Sequence, residues 1–119
     1  MKIAITAKGT DWTSEVDPRF GRAAYILIVD TDIMDFEVIN NSINSNAFKG
    51  AGIQAATTVC ETGAKVLLTG YCGPKAFEVI KTAGINVVSD IEGRVKDVVD
   101  LFISGKLTYT DSANAFAHW

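Results

Sequence analysis

The chain is poor in the residues that build metal cages and disulfide frameworks. It has two cysteines, Cys60 and Cys72, and one histidine, His118. A structural zinc site takes four Cys or His ligands, so a fully protein-ligated metal site is not expected, and any metal held here brings its own ligands. A disulfide framework is equally unexpected. Positive charge is also short: 11 Lys and Arg stand against 14 Asp and Glu, a formal net charge of −3. That excludes a general binder of nucleic acid or of anionic membranes. No apolar run approaches the ~18 residues of a membrane span. Met1-Lys2-Ile3-Ala4-Ile5 is too short an apolar start for a signal peptide. A cytoplasmic monomer is expected.

What is present is the material of a core. With 119 residues, 48% of them hydrophobic, the chain is expected to form a single domain over 1–119. Lys2 to Thr6 reads as a first strand. Ala24 to Val29 is a continuous apolar run suited to a strand covered on both faces. Phe36 to Ile39 alternates after an Asp30-Thr31-Asp32 turn, so the pair reads as a hairpin. Asp30, Asp32 and Asp35 lack the glycine and distal glutamate of a calcium loop and read as turn acids. A helix is predicted from Ile53, stopped at Gly63, then a strand from Val66 to Thr69. The next helix, Pro74 to Ala83, ends at Gly84, and Ile85 to Val88 follows as a strand. Arg94 to Ser104 carries Val95, Val98, Val99, Phe102 and Ile103 at helical spacing. Leu107 to Trp119 reads as a tail, in which Asp111-Ser112 could cap a short final helix and His118-Trp119 frays.

The order β-β-β-α-β-α-β-α predicts an α/β protein with helices on both faces of a mixed five-stranded sheet. A hairpin followed by such units resembles the ribonuclease H-like three-layer arrangement, with the first strand central and beside the 66–69 strand. Open α/β sheets bind ligands at the C-terminal ends of their strands, and two loops are expected to meet there. One runs from Ala7 to Arg22. It is long and unpatterned, which in a small domain marks function or disorder, and Trp12, Val16 and Phe20 argue for order. Lys8, Arg19, Phe20 and Arg22 are its candidate ligand contacts. Ion pairing with Asp17 or Glu15 is the alternative role for the arginines.

The other loop, Leu68-Thr69-Gly70-Tyr71-Cys72-Gly73-Pro74-Lys75, turns from a strand into a helix. Pro74 suits the first helical position, and the helix start with Lys75 favours an anion. Gly70 and Gly73 let the backbone turn and a ligand come close, and Tyr71 lies between them. Cys72 offers a soft ligand, and a helix N-terminus lowers a thiol's pKa. It is therefore expected to react faster than Cys60, which falls on an apolar helix face with Ala56 and Val59. Gly50 and Gly52 could border the same crevice. Asparagines of the 40–46 stretch could cap the following helix or hold a ligand.

Enzyme readings fare poorly. The strands Ile3–Thr6 and Val66–Thr69 carry no acid, whereas metal-dependent nucleases need several carboxylates. A Cys72–His118 nucleophile pair requires the terminus to fold back. Gly50-Ala51-Gly52 and Gly70-Tyr71-Cys72-Gly73 match no dinucleotide or P-loop fingerprint. A pocket of N–H groups, arginines and one thiol suits a non-enzymatic carrier. The alternative is a metal-free regulatory or scaffold module that docks a partner protein.

Taken in order, Asp17-Pro18-Arg19-Phe20-Gly21-Arg22, Lys49-Gly50-Ala51-Gly52-Ile53-Gln54-Ala55-Ala56, Leu68-Thr69-Gly70-Tyr71-Cys72-Gly73-Pro74-Lys75-Ala76-Phe77 and Ala83-Gly84-Ile85-Asn86-Val87 resemble the dinitrogenase iron–molybdenum cofactor biosynthesis family. The likeness covers nearly the whole chain. It implies a ribonuclease H-like fold without catalysis. It also implies a carrier for an anionic molybdenum–copper sulfide cluster, or for an iron–molybdenum cofactor precursor, held without covalent attachment. Such a cluster brings its own sulfide and asks for positive charge, N–H donors and apolar walls.

Overall fold

The computed structural model describes residues 1–42 and 50–114. Five strands form one sheet: β1 (Lys2–Ala7), β2 (Tyr25–Asp30), β3 (Asp35–Asn40), β4 (Val66–Leu68) and β5 (Asn86–Val88). Among the described residues, three helices accompany them: α1 (Ala51–Cys60), α2 (Pro74–Thr82) and α3 (Val95–Ile103). The sheet order is β3-β2-β1-β4-β5. β1 pairs antiparallel with β2 and parallel with β4, so it sits in the centre as expected. The asparagine-rich positions 43–49, and His118 and Trp119, lie outside the described residues.

The alternating side chains of the strands split the core into two layers. Ala4, Ile26, Ile28, Leu67 and Val87 face α1 and α2, meeting Ala55, Ala56, Val59, Phe77 and Ile80. Ile3, Ile5, Leu27, Val29, Leu68 and Val88 face α3, meeting Val95, Val98 and Val99. The buried face of α1 is mainly alanine (Ala51, Ala55 and Ala56, with Val59), which lets it lie close against α2 on the same side of the sheet. α1 starts at Ala51 rather than Ile53. Gly50 takes the left-handed conformation at its N-cap (φ 80°), so Ala51 and Gly52 enter the first turn. Few residues other than glycine hold that angle without strain.

The turn acids behave as turn acids. Asp30 and Asp35 accept backbone N–H bonds from Asp32 and Phe36, and Asp32 pairs with the N-terminal ammonium at 2.9 Å. The described part of the tail is packed: Leu107 against the α3 layer and Ala113 against the α1–α2 layer. Asp111 and Ser112 sit in a bend.

Candidate ligand site at the helix N-termini

β1 and β4 run parallel, so the loops that leave them emerge at the same end of the sheet. Their last residues are tied together: the buried hydroxyls of Thr6 and Thr69 lie 2.9 Å apart, and Thr6 Oγ1 donates to the Asp17 carbonyl at 2.7 Å. Beyond that knot the two loops pair as a short parallel bridge between Arg19 and Tyr71. Tyr71 N–H donates to the Pro18 carbonyl (2.6 Å), and Phe20 N–H donates to the Tyr71 carbonyl (3.1 Å). A Cβ on Gly70 would stand 2.6 Å from the Pro18 oxygen. Gly70 therefore serves the approach of one loop to the other, not of a ligand to the backbone.

Asp17 organises the arginine turn. It is buried, and its two carboxylate oxygens accept from the backbone N–H groups of Arg19 and Ala24 at 3.3 and 3.2 Å. Glu15, the other acid considered as an arginine partner, is paired with Lys8 at 3.5 Å. Arg19 stays exposed, with no carboxylate partner among the described residues. Arg22 is half-buried. Phe20 is only 1% exposed and lies in the α1–α2 core. It anchors the turn and is not available to a ligand, contrary to the expectation that it lines the site: flanked by two arginines in a loop, it gave no sign of which way it pointed.

The same turn seats itself on the helices. A Cβ on Gly21 would come within 2.6 Å of the Gly52 nitrogen and 2.7 Å of its Cα, and one on Gly52 within 3.3 Å of the Ala76 Cβ. Gly21, Gly52 and Ala76 thus bring the Arg19–Arg22 turn, the first turn of α1 and the first turn of α2 into direct contact. Gly21 was not among the sequence candidates, yet it makes this junction possible. Neither helix has a side-chain cap, and neither carries an acid in its first turn. The helical ladders begin with Gln54 N–H to Gly50 (3.0 Å) and Phe77 N–H to Gly73 (2.9 Å). The N–H groups before them remain outside the ladders, leaving each terminus with its partial positive charge. Pro74 occupies the first position of α2 as expected, and Gly73 before it is extended (φ −70°), a conformation open to any residue. Lys75 is exposed in the first turn of α2, and Tyr71 beside the turn is 40% exposed.

The reactivity expected of Cys72 fails as well. Cys72 is fully buried, its side chain in the α1–α2 core, and burial pushes its thiol up to about 12. The helix start does not activate it, because the side chain turns inward while the N–H groups turn outward. Cys60 is half-buried at the core margin, its thiol raised by burial and then by the Glu61 charge. The order of accessibility is therefore the reverse of that expected. Lys8 joins a different neighbourhood. It lines an open recess of about 420 Å³ with Glu15, Val16, Pro18, Ile91, Glu92 and Gly93, where two acids outnumber one base. Among the described residues, no group of three or more His, Cys, Asp or Glu side chains could hold a metal ion, and no helix is long and apolar enough to cross a membrane.

Fold and site together define a small α/β domain that presents two adjoining helix N-termini and a basic turn at one end of its sheet. The sequence model of the family described as "Dinitrogenase iron-molybdenum cofactor" matches residues 1–105, and the chain belongs to that family. It is 30% identical to an uncharacterised protein of Methanocaldococcus jannaschii over 90% of this chain and 89% of that one. The apo form of the orange protein (ORP) from Desulfovibrio gigas superposes with a TM-score of 0.93 at 43% identity, over 96% of each chain. A Thermotoga protein, provisionally named a NifB protein, superposes at 0.80 with 33% identity over 96% of this chain and 98% of that one. Family and neighbours point to a cofactor-related role.

Proposed function

We propose that this protein is a non-enzymatic carrier that holds an anionic metal–sulfide cluster, of the molybdenum–copper type or an iron–molybdenum precursor, without a covalent bond. The observation that carries the reading is the pair of uncapped, acid-free helix N-termini with Arg19, Arg22 and Lys75 around them. Such termini favour anions through their N–H groups and dipole. The donor set fits a cluster that arrives with its own sulfide, since the one cysteine of the turn is shut in the core as a neutral thiol. Arg19 and Arg22 would supply charge, the termini of α1 and α2 N–H donors, and Tyr71 an aromatic wall. The strand order β3-β2-β1-β4-β5 supports taking the fold as ribonuclease H-like.

The test is retention. Apo protein mixed with tetrathiomolybdate and copper, then gel-filtered, is expected to carry visible absorbance with molybdenum and copper in fixed ratio. Colour that elutes apart from the protein under all mixing orders would overturn the reading.

A further inference from the structure

A second thread runs through this site from the far end of the chain. Beyond α3 the backbone returns across β5: Thr110 N–H donates to the Val87 carbonyl at 2.6 Å, and the Thr110 hydroxyl accepts from Ser89 N–H at 2.9 Å. Asn114 then enters the 70–73 turn. Its Oδ1 accepts the Cys72 N–H (2.9 Å), and its Nδ2 donates to the Gly70 carbonyl (2.9 Å) and to Asp90 Oδ1 (3.2 Å). Its own N–H donates to the Cys72 carbonyl at 3.2 Å. An amide is the side chain that offers an acceptor and two donors in one plane, and the partners fix which end is oxygen: an N–H faces one side and a carbonyl the other. Asp90 is held in a left-handed conformation (φ 61°), with its N–H on the Gly70 carbonyl at 2.8 Å.

We propose that Asn114 is a positioning residue of the ligand site. It fixes the Gly70–Gly73 turn, and with it the start of α2, and it keeps the Cys72 side chain closed in the core. It acts through the turn and touches no ligand. The positioning of α2 matters only if the carrier reading holds; the closure of Cys72 does not depend on it.

Cys72 is the built-in reporter. In the full apo chain, alkylation of Cys60 and Cys72 by iodoacetamide is followed by peptide mass spectrometry. Asn114→Ala is expected to raise the Cys72 rate at least tenfold and leave the Cys60 rate unchanged. Asn114→Asp keeps the acceptor for Cys72 N–H but sets a carboxylate against Asp90, and the same rise is expected. The exchange variant, Asn114→Asp with Asp90→Asn, lets the amide at 90 donate to the carboxylate at 114, in a left-handed site that asparagine tolerates, but returns no donor to the Gly70 carbonyl. Its Cys72 rate is expected to fall below that of Asn114→Asp alone and to stay above the parent's. Val98→Ala, in α3 on the opposite face, weakens the fold without touching the turn and should leave Cys72 protected. If Val98→Ala exposes Cys72 as much as Asn114→Ala, or the exchange variant reacts as fast as Asn114→Asp alone, the thiol is freed by general unfolding and the assignment is overturned.

The same variants are titrated with tetrathiomolybdate and copper by visible absorbance. Asn114→Ala is expected to lose at least tenfold in affinity, and the exchange variant to lose less than Asn114→Asp alone. Exposure of Cys72 with unchanged titration overturns the positioning role. A parent chain that takes up no cluster sinks the carrier reading, while the thiol rates still decide what Asn114 does.

Discussion

The N-terminus of α3 and those of α1 and α2 meet the same loop and are treated in opposite ways. At α3 the loop closes the end. Val95 N–H donates to the Ser14 carbonyl at 2.9 Å and Lys96 N–H to the Trp12 carbonyl at 3.0 Å. Asp97 adds an acid in the first turn. At α1 and α2 a few residues later, the loop brings arginines, and neither helix has a side-chain cap or an acid in its first turn among the described residues. A helix start is a generic anion-attracting feature. What distinguishes a binding end from a structural one is whether the rest of the chain has already satisfied it. Here residues 12–16 satisfy one end, and residues 18–22 set two arginines beside the other.

The largest effect expected from breaking this contrast is on affinity. A charge-assisted contact is worth roughly 1.5–3 kcal/mol, so Arg19→Ala with Arg22→Ala should weaken tetrathiomolybdate–copper uptake about a hundredfold or more, with the domain still folded. A double variant that titrates like the parent would make both arginines structural. Next comes the seat of the turn. Gly21→Val puts carbon against the Gly52 backbone, and overpacking of this kind costs about 1–3 kcal/mol. Urea unfolding should show that loss together with a loss of uptake. A Gly21→Val protein as stable as the parent would mean that the turn and α1 are not in contact.

The pH dependence of stability follows from Cys72. Its thiol goes from an ordinary 9.0 to about 12 in the fold. The unfolded chain therefore releases this proton first as pH rises. The contribution is fully present below about pH 9 and is lost between there and about pH 12, by at most about 1.4 kcal/mol per pH unit. Urea unfolding at pH 8 to 11 should show this slope in the parent and a shallower one in Cys72→Ala; parallel slopes would place the thiol in water. The smallest effect sharpens the comparison by making α1 resemble α3. Ile53, half-exposed in the first turn of α1, is replaced by Asp. An acid there favours the helix by about 0.3–1 kcal/mol while repelling an anion, so apo stability should rise as uptake falls. A parallel change of both, in either direction, would deny that this terminus is the site.

The elements were legible because their signals are local. Pro74 at the start of α2, Gly84 beyond its end and the apolar spacing of α3 each act within a few residues. The meeting of the two loops followed from β1 lying beside β4. What the sequence concealed was orientation. Phe20 and Cys72 sit in irregular backbone, where no period of 2 or 3.6 says which side faces the core. Both looked like ligand contacts, and both turned inward. Gly21 drew no notice and Gly70 read as room for a ligand, because the backbone that excludes a Cβ from each comes from another segment. Asn114 was hidden by distance, since it completes a turn 42 residues upstream. Nothing in a tail of that composition announces such a contact.

The strand order carries one more implication, for how copies of this molecule meet in concentrated solution. One margin of the sheet, β5, is overlaid by Thr110. The other, β3, is paired only with β2 among the described residues. A bare margin invites a second molecule to extend the sheet. β3 reads Asp35-Phe36-Glu37-Val38-Ile39-Asn40, with Asp35, Glu37 and Val38 exposed. Two copies laid edge to edge would gather only negative charge, with no base in the strand to answer it. Any edge-to-edge pairing of two copies through β3 would therefore set the exposed Asp35 and Glu37 of one against those of the other, a like-charge contact that works against extending the sheet.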